Sequence, residues 1–207
     1  MRKAVVILGA LIGLQTGCAT MNKADCLSAD WQAIGEKDAL VGYNESRMDL
    51  YQKACLKHEI TPDYALYKQG HYVGSQTFCT AQNGFNRARE GFEYQQSCPL
   101  DLETEFLQGY HDGWELYRIK LELDEVEHEI SSAHKSIASN ETQMEEKHDQ
   151  MFADGMTKEM RSHLMSDIDR LNDANKILDS QIMVLQGRYA DLQENYENAE
   201  KELDVYN

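Results

Sequence analysis

The sequence is poor in proline and in basic residues, and it contains no long apolar segment. It has two prolines in 207 residues, and its 20 Lys and Arg stand against 36 Asp and Glu, a net charge of −16. Nucleic acids and anionic lipid surfaces attract basic side chains, so this charge argues against both as partners. A bilayer-spanning helix needs roughly 20 apolar residues, and the apolar run at 4–14 is shorter.

The amino terminus has the order of features found in an export signal. A short positive start precedes the uncharged run at 4–14, which has the length of a secretory apolar region, about 7–15 residues. The run leads into Leu14-Gln15-Thr16-Gly17-Cys18, close to a lipobox, in which small residues precede a lipid-bearing cysteine. Gln15 departs from that pattern, which usually has an apolar residue there. We predict a lipoprotein signal peptide over 1–17, lipidation of Cys18 and a tether over 18–25.

The residue after the cysteine bears on the location of the mature protein. Lipoproteins kept in the inner membrane often carry Asp there, whereas this chain has Ala19. We therefore expect a cell-envelope protein, lipid-anchored in the outer membrane and facing the periplasm. The alternative is an ordinary signal peptide cut nearby, which would release a soluble periplasmic protein.

The chain changes character near Trp114. No cysteine and no proline follows that residue, and residues 115–207 hold 22 Asp and Glu against 10 Lys and Arg. We predict an all-α protein in two parts, a compact helical domain over 26–114 and an acidic coiled-coil arm over 115–207. Within the domain, Thr61-Pro62-Asp63 is a strong helix start because it joins a capping hydroxyl, a proline and an acid. The expected helices cover about 28–42, 46–58 and 61–79, with a fourth opened by Pro99-Leu100-Asp101 and an irregular loop at Asn83-Gly84-Phe85.

Four cysteines of the domain form an even set for an oxidising compartment: Cys26, Cys55, Cys79 and Cys98. Three pairings are possible, and sequence alone does not choose among them. The predicted helices favour Cys26–Cys55 and Cys79–Cys98, because each bond would then join neighbouring antiparallel helices. Each would contribute roughly 3 kcal/mol to stability. A zinc site is disfavoured because the sequence has no C-x-x-C motif.

Glycines recur beside aromatic residues throughout the domain, as in Tyr67-Lys68-Gln69-Gly70 and Phe106-Leu107-Gln108-Gly109. They indicate either a smooth surface for a ligand or close packing between helices, and we favour packing. The candidates for proton chemistry near them are His71, His111 and Asp112, and no serine or cysteine nucleophile has a recognisable context. We predict no enzyme activity, no catalytic residue, no cofactor and no metal site.

The order of cysteines, glycines and aromatics resembles a family of Gram-negative envelope lipoproteins catalogued only as a domain of unknown function. The resemblance covers about 26–117 and implies an envelope location, with no activity attached. The chain departs from it at His71 and Trp114, where family members often have Arg, which puts any anion-binding role of those arginines in doubt. The matching residues are Cys26, Asp30-Trp31, Gly35, Asp38, Pro62-Asp63, Tyr67, Gly70, Gly74, Cys79-Thr80, Asn83-Gly84-Phe85, Gly91, Tyr94, Cys98-Pro99, Phe106, Gly109-Tyr110, Gly113 and Leu116-Tyr117.

The arm carries apolar residues at the seven-residue spacing of a coiled coil. One track runs from Leu116 to Met151, and a second from Leu164 to Leu192. The tracks are out of phase, and Gly155 and Thr157 between them can end one helix and begin another. We predict an antiparallel hairpin with its turn near 154–157 and arms of roughly 40–45 residues, about 60 Å. The alternative is a parallel homodimer through the second track.

These features favour a structural or adaptor lipoprotein that acts through its arm. Its partners would be the outer membrane, through the lipid, and another helical envelope protein or a second copy of itself. The alternative is an envelope binding module that recognises a small ligand or glycan fragment through the glycine and aromatic residues. The predicted partner-binding seam consists of Leu164, Ile168, Leu171, Asn175, Leu178, Ile182, Leu185 and Leu192.

Overall fold

The computed structural model describes residues 21–206, and these confirm the all-α class, since they form helices and no strand. Cys18 and the predicted signal peptide lie outside the described residues. Short 3₁₀ turns at Glu45–Arg47 and Asp204–Tyr206 supplement the α-helices. The helices are α1 (Lys23–Ser28), α2 (Trp31–Leu40), α3 (Met48–Leu56), α4 (Tyr64–Phe78), α5 (Ala81–Arg89), α6 (Leu100–Met151) and α7 (Lys158–Glu202).

The helices group into two compact units. Of the described residues, the first unit contains 21–78 together with Gln95–Pro99, and the second contains Cys79–Tyr94 together with 100–206. In the first unit α2 packs on α4, whereas in the second α6 packs on both α5 and α7. The change of composition at Trp114 falls inside α6, so it does not coincide with a boundary between these units.

Helix starts in the first unit differ from the predicted ones by a few residues. Ser28 ends α1 instead of capping a long helix, and the carboxylate of Asp30 caps α2 by accepting from the backbone N–H of Ala33 at 3.0 Å. The start at 61–63 is real, but the capping group is the Asp63 carboxylate, which accepts from the backbone N–H of Leu66. A carboxylate is the stronger acceptor and carries the favourable charge at a helix start.

The predicted loop at Asn83-Gly84-Phe85 is wrong, because these residues lie in the middle of α5. Thr80 caps that helix by accepting from the backbone N–H of Asn83 at 3.2 Å. Asn-Gly is common in turns, but here Gly84 is buried beside α6. Tertiary packing overrides the local preference.

The hairpin is confirmed, with both arms in one chain. Helix α6 ends at Met151, Gly155 takes a positive φ of 82°, and Thr157 caps α7 by accepting from the backbone N–H of Met160. Helices α6 and α7 have 52 and 45 residues, or about 78 and 68 Å at 1.5 Å per residue. Helix α6 includes residues that precede the arm, because the helix opened at Leu100 continues without a break past Trp114, as the sequence predicts.

A polar layer crosses the seam between α6 and α7. The Asn140 side chain donates to Oδ1 of Asn175 at 2.7 Å, and Asn175 is 8% exposed. Lys147 pairs with Asp167 at 2.8 Å further toward the turn. Sliding one helix along the other would break both contacts, so together they fix the register of α6 against α7.

We expect Asn175→Leu alone to lower the free energy of unfolding by about 1–2 kcal/mol, because the Asn140 amide loses its partner in the seam. The double variant Asn140→Leu/Asn175→Leu should be at least as stable as the wild type, since both polar groups are then gone. Urea unfolding of the wild type, both single variants and the double variant completes the cycle. A single variant already as stable as the double would contradict a paired role.

Candidate functional site

The cysteines of the predicted set are all oxidised. Cys26 and Cys55 are joined, with their Cα atoms 5.7 Å apart, which confirms the predicted bond between them. Cys79 and Cys98 are disulfide-bonded as well. The Cys26–Cys55 bond lies in an apolar cluster with Trp31, Met48 and Tyr67.

The glycines of the first unit lie where α2 and α4 cross. A Cβ atom on Gly35 would lie 2.9 Å from the backbone nitrogen of His71, and one on Gly70 would lie 2.6 Å from the backbone carbonyl carbon of Gln32. Side chains larger than hydrogen are therefore excluded on both faces. We call this contact of α2 with α4 the first crossing.

The second unit repeats the same arrangement where α5 crosses α6. A Cβ on Gly84 would lie 3.0 Å from the backbone nitrogen of Tyr110, and one on Gly109 would lie 2.6 Å from the carbonyl carbon of Ala81. We call this contact the second crossing. The glycines of both crossings lie in the contact between the two helices. They therefore support the interpretation that the glycines serve close helix packing, and they are not available there as a surface for a ligand.

A buried carboxylate distinguishes the first unit. Asp38 is 6% exposed and accepts hydrogen bonds from the hydroxyl groups of Tyr51 and Tyr67, each at 3.0 Å to Oδ2. The Nε atom of Arg47 lies 3.4 Å from Oδ1 of Asp38 and donates to the Tyr51 hydroxyl at 3.2 Å. The Arg47 guanidinium also lies 3.7 Å from the centre of the Tyr43 ring. These five side chains form what we call the Asp38 network.

The network shifts the pKa values of Tyr67, Tyr51 and Arg47. Burial first, and the neighbouring Asp38 charge second, raise the pKa of Tyr67 far above its ordinary value. Burial also raises the pKa of Tyr51, so both hydroxyls remain donors. Burial opposes the charge of Arg47, but the Tyr51 hydrogen bond and the Asp38 charge outweigh it and raise the pKa of the guanidinium. Neither tyrosine can therefore act as a base near neutral pH.

A shallow pocket of about 390 Å³ opens beside the network. Arg47 and Lys53 bring positive charge to it, Asp49 brings negative charge, and Tyr43 and Leu50 bring apolar surface. Asn44 closes one side, because its side chain donates to the backbone carbonyls of Gln95 and Gln96. The pocket can therefore hold a small ligand that carries charge.

A larger groove of about 970 Å³ lies on the hairpin of the second unit. Small residues of α6, Ser132 and Ser136, form one side, and the exposed Ile177 and Val184 of α7 form the other. Its surface is more apolar than polar, as a protein-docking surface requires. We call it the hairpin groove.

The predicted seam residues are either buried between α6 and α7 or half-buried at the edge of that contact. Asn175 and Ile182 are buried within the hairpin, whereas Ile168 and the five leucines are half-buried. Leu178 and Leu185 also line the hairpin groove. The predicted seam does not include Ile177 and Val184, although these two residues are also seven apart and the same spacing could have identified them.

The remaining polar candidates have structural partners. His71 is 1% exposed, and its Nε2 lies 2.8 Å from the backbone oxygen of Tyr43. Asp112 accepts a hydrogen bond from the hydroxyl of Tyr206 at 2.6 Å, and the Tyr206 ring stacks on Phe85. Within residues 21–206 no group of three or more His, Cys, Asp or Glu could hold a metal ion. No helix of the described chain is long and apolar enough to cross a membrane.

The contact of Tyr206 with Asp112 should depend on pH. The hydrogen bond to Asp112 raises the pKa of Tyr206 from 10.0 to about 12. Because the folded value lies above the unfolded one, the contact stabilises fully below pH 10 and is lost as the pH rises through about 12. We expect Tyr206→Phe to be less stable than the wild type at pH 8 and the difference to vanish above pH 12. A difference that stays constant across this range in urea unfolding would contradict the contact.

Comparison with known proteins gives a family model that matches part of the chain. Residues 30–115 match the model of a family described as a protein of unknown function (DUF2799). The match includes both crossings and the Asp38 network and ends near the base of the hairpin. Neither the curated proteins nor the solved structures provide a match to the chain.

Proposed function

We propose that the protein is a lipid-tethered, periplasm-facing protein of the cell envelope whose hairpin binds a helix of another envelope protein. The observation that carries the proposal is the hairpin groove. Ile177 and Val184 are 61% and 73% exposed on a helix that already buries a separate seam against α6. Apolar residues beyond those needed for the intramolecular seam are typical of a surface that a partner covers.

The shape of the groove suits a third helix. Ser132 and Ser136 are four residues apart on α6, and Ile177 and Val184 are seven apart on α7. Small side chains on one wall allow a helix to approach closely, and branched apolar side chains on the other provide the buried surface. The hairpin thus presents two sides of a three-helix coiled coil.

Charge favours a different protein over a second copy as the occupant. The arm from residue 115 onward carries 22 acidic and 10 basic residues, and the groove itself is lined by one acidic residue, Glu129, and one lysine, Lys176. Two such arms would repel each other, whereas an amphipathic helix with basic flanks would be attracted. We therefore assign the groove to a basic amphipathic helix.

The export signal and the oxidised cysteines support the location. The lipid anchor is tested by Cys18→Ser, which we expect to move the protein from the membrane fraction to the soluble periplasmic fraction without changing its stability. A Cys18→Ser protein that stays fully in the membrane fraction would contradict the tether.

Photo-crosslinking in cells tests the groove. A photoreactive residue at Ser136 or Gln181, inside the groove, should give a crosslink to one distinct envelope protein, whereas Asp169 and Glu194, outside the groove lining, serve as controls. Val184→Asp should abolish the crosslink from Gln181 and leave the fold intact, because Val184 is already solvated. Crosslinks only to a second copy, or equal yields at groove and control positions, would overturn the assignment.

A further inference from the structure

The two crossings provide an internal comparison within one chain. Gly35, Gly70 and Gly74 of the first crossing each have a counterpart in the second that meets equivalent backbone atoms. In each crossing the first helix is followed by a glycine with a positive φ, 85° at Gly42 and 81° at Gly91, which faces an aromatic ring. The equivalent pairs are Gly35 and Gly84, Gly42 and Gly91, Tyr67 and Phe106, Gly70 and Gly109, Gly74 and Gly113, and Phe78 and Tyr117.

The Asp38 network is not needed to form such a crossing. The second crossing has Arg87 at the position of Asp38, and Phe106 replaces Tyr67 while being just as buried. Tyr94 lies four residues before Cys98, as Tyr51 lies before Cys55, but its hydroxyl donates to Glu103 instead. Burying a carboxylate costs free energy unless the group is fully paired. The first unit supplies Tyr51, Tyr67 and Arg47 to pair Asp38, although the same helix pair forms in the second unit without a carboxylate at that position.

Three residues of the network, Tyr43, Arg47 and Tyr51, lie in a long segment between the paired helices. The segment between α2 and α4 has 23 residues, 41–63, whereas the segment between α5 and α6 has 10, 90–99. The longer segment contains α3 and supplies Arg47, Tyr51 and most of the pocket lining. Segments added to a rigid scaffold are the usual carriers of binding residues.

The network holds Arg47 in one position. The Tyr43 ring packs against the Arg47 guanidinium. The polar contacts of Arg47 with Asp38 and Tyr51 use Nε alone. Within residues 21–206 no hydrogen bond from its two terminal nitrogens is seen, and its side chain is 29% exposed at the pocket. A fixed guanidinium whose two terminal nitrogens face the pocket can donate to the two oxygens of a carboxylate.

We infer that the pocket of the first unit binds a small zwitterion, such as a free amino acid or short peptide, through a carboxylate on Arg47 and Lys53 and an ammonium group on Asp49. Asp38, Tyr51 and Tyr67 are positioning residues that keep the guanidinium in place. The volume of about 390 Å³ suits a ligand of this size. The inference is independent of the hairpin groove.

The test uses the full-length protein and the dipeptide Ala-Ala, followed by saturation-transfer NMR. We expect Ala-Ala to bind, and N-acetyl-Ala-Ala and Ala-Ala amide, which each lack one charge, to bind about tenfold more weakly. Inorganic phosphate should compete poorly, because it offers nothing to Asp49. No transfer to Ala-Ala, or phosphate competing as well as the dipeptide itself, would overturn the inference.

Variants at exposed positions separate binding from folding. Lys53→Gln and Asp49→Asn should each weaken Ala-Ala binding roughly tenfold, and Lys57→Gln, one turn further along and outside the pocket lining, should leave it unchanged. Tyr67→Phe copies the residue of the second crossing, so it should fold and weaken binding by a smaller factor. Equal affinity in Lys53→Gln and Lys57→Gln would overturn the inference.

Discussion

Replacing Gly109 with alanine is expected to lower the free energy of unfolding by about 3 kcal/mol or more, because the new methyl group would meet the backbone of α5. Its Cβ would lie 2.6 Å from the carbonyl carbon of Ala81, a backbone atom that moves only if α5 and α6 separate. Guanidinium unfolding followed by circular dichroism measures the change.

Gly187→Ala is the matched control for this substitution. Gly187 also lies inside a long helix of the second unit, but a Cβ there meets nothing within 4 Å. Alanine should therefore stabilise that variant by about 0.5–1 kcal/mol, because it removes the helix penalty of glycine. Shifts of the same sign and size in both variants would show that the crossing is looser than described.

Removing the Cys26–Cys55 bond is expected to lower the free energy of unfolding by about 3–4 kcal/mol, since the bond closes a loop between residues 29 positions apart. The double variant Cys26→Ala/Cys55→Ala gives this change directly, and its midpoint in guanidinium should then respond less to reductant than that of the wild type. Cys18→Ser is the control, because that cysteine is outside the predicted set of four. If the double variant unfolds at the wild-type midpoint, the bond does not stabilise the first unit.

The hairpin could be predicted in detail because its contacts repeat along the chain. Seven-residue spacing identified both arms, and Gly155 and Thr157 identified the turn between them. The disulfide between Cys26 and Cys55 followed from the expected neighbouring helices. Periodic and local signals are visible without knowing which distant residues meet.

The crossings and the Asp38 network were harder because they depend on distant contacts. Asp38 meets Tyr51 and Tyr67 across 13 and 29 residues, and nothing local marks it as buried. Gly84 was assigned to a loop because Asn-Gly usually forms turns, yet its place is set by Tyr110 on another helix. The recurrence of spaced glycines was visible, but it did not show that the two sets pair with equivalent partners.

Because α6 and α7 pair antiparallel in a fixed register, the hairpin can be shortened only by removing the same number of residues from each helix. Deleting seven residues from one arm between this layer and the turn would move Asn140 out of register with Asn175 and mispair the two helices. Deleting seven from each arm between this layer and the base would preserve every layer toward the turn and remove about 10.5 Å of reach. The distance between the turn and the base therefore depends on the lengths of both helices, and the two lengths can change only together.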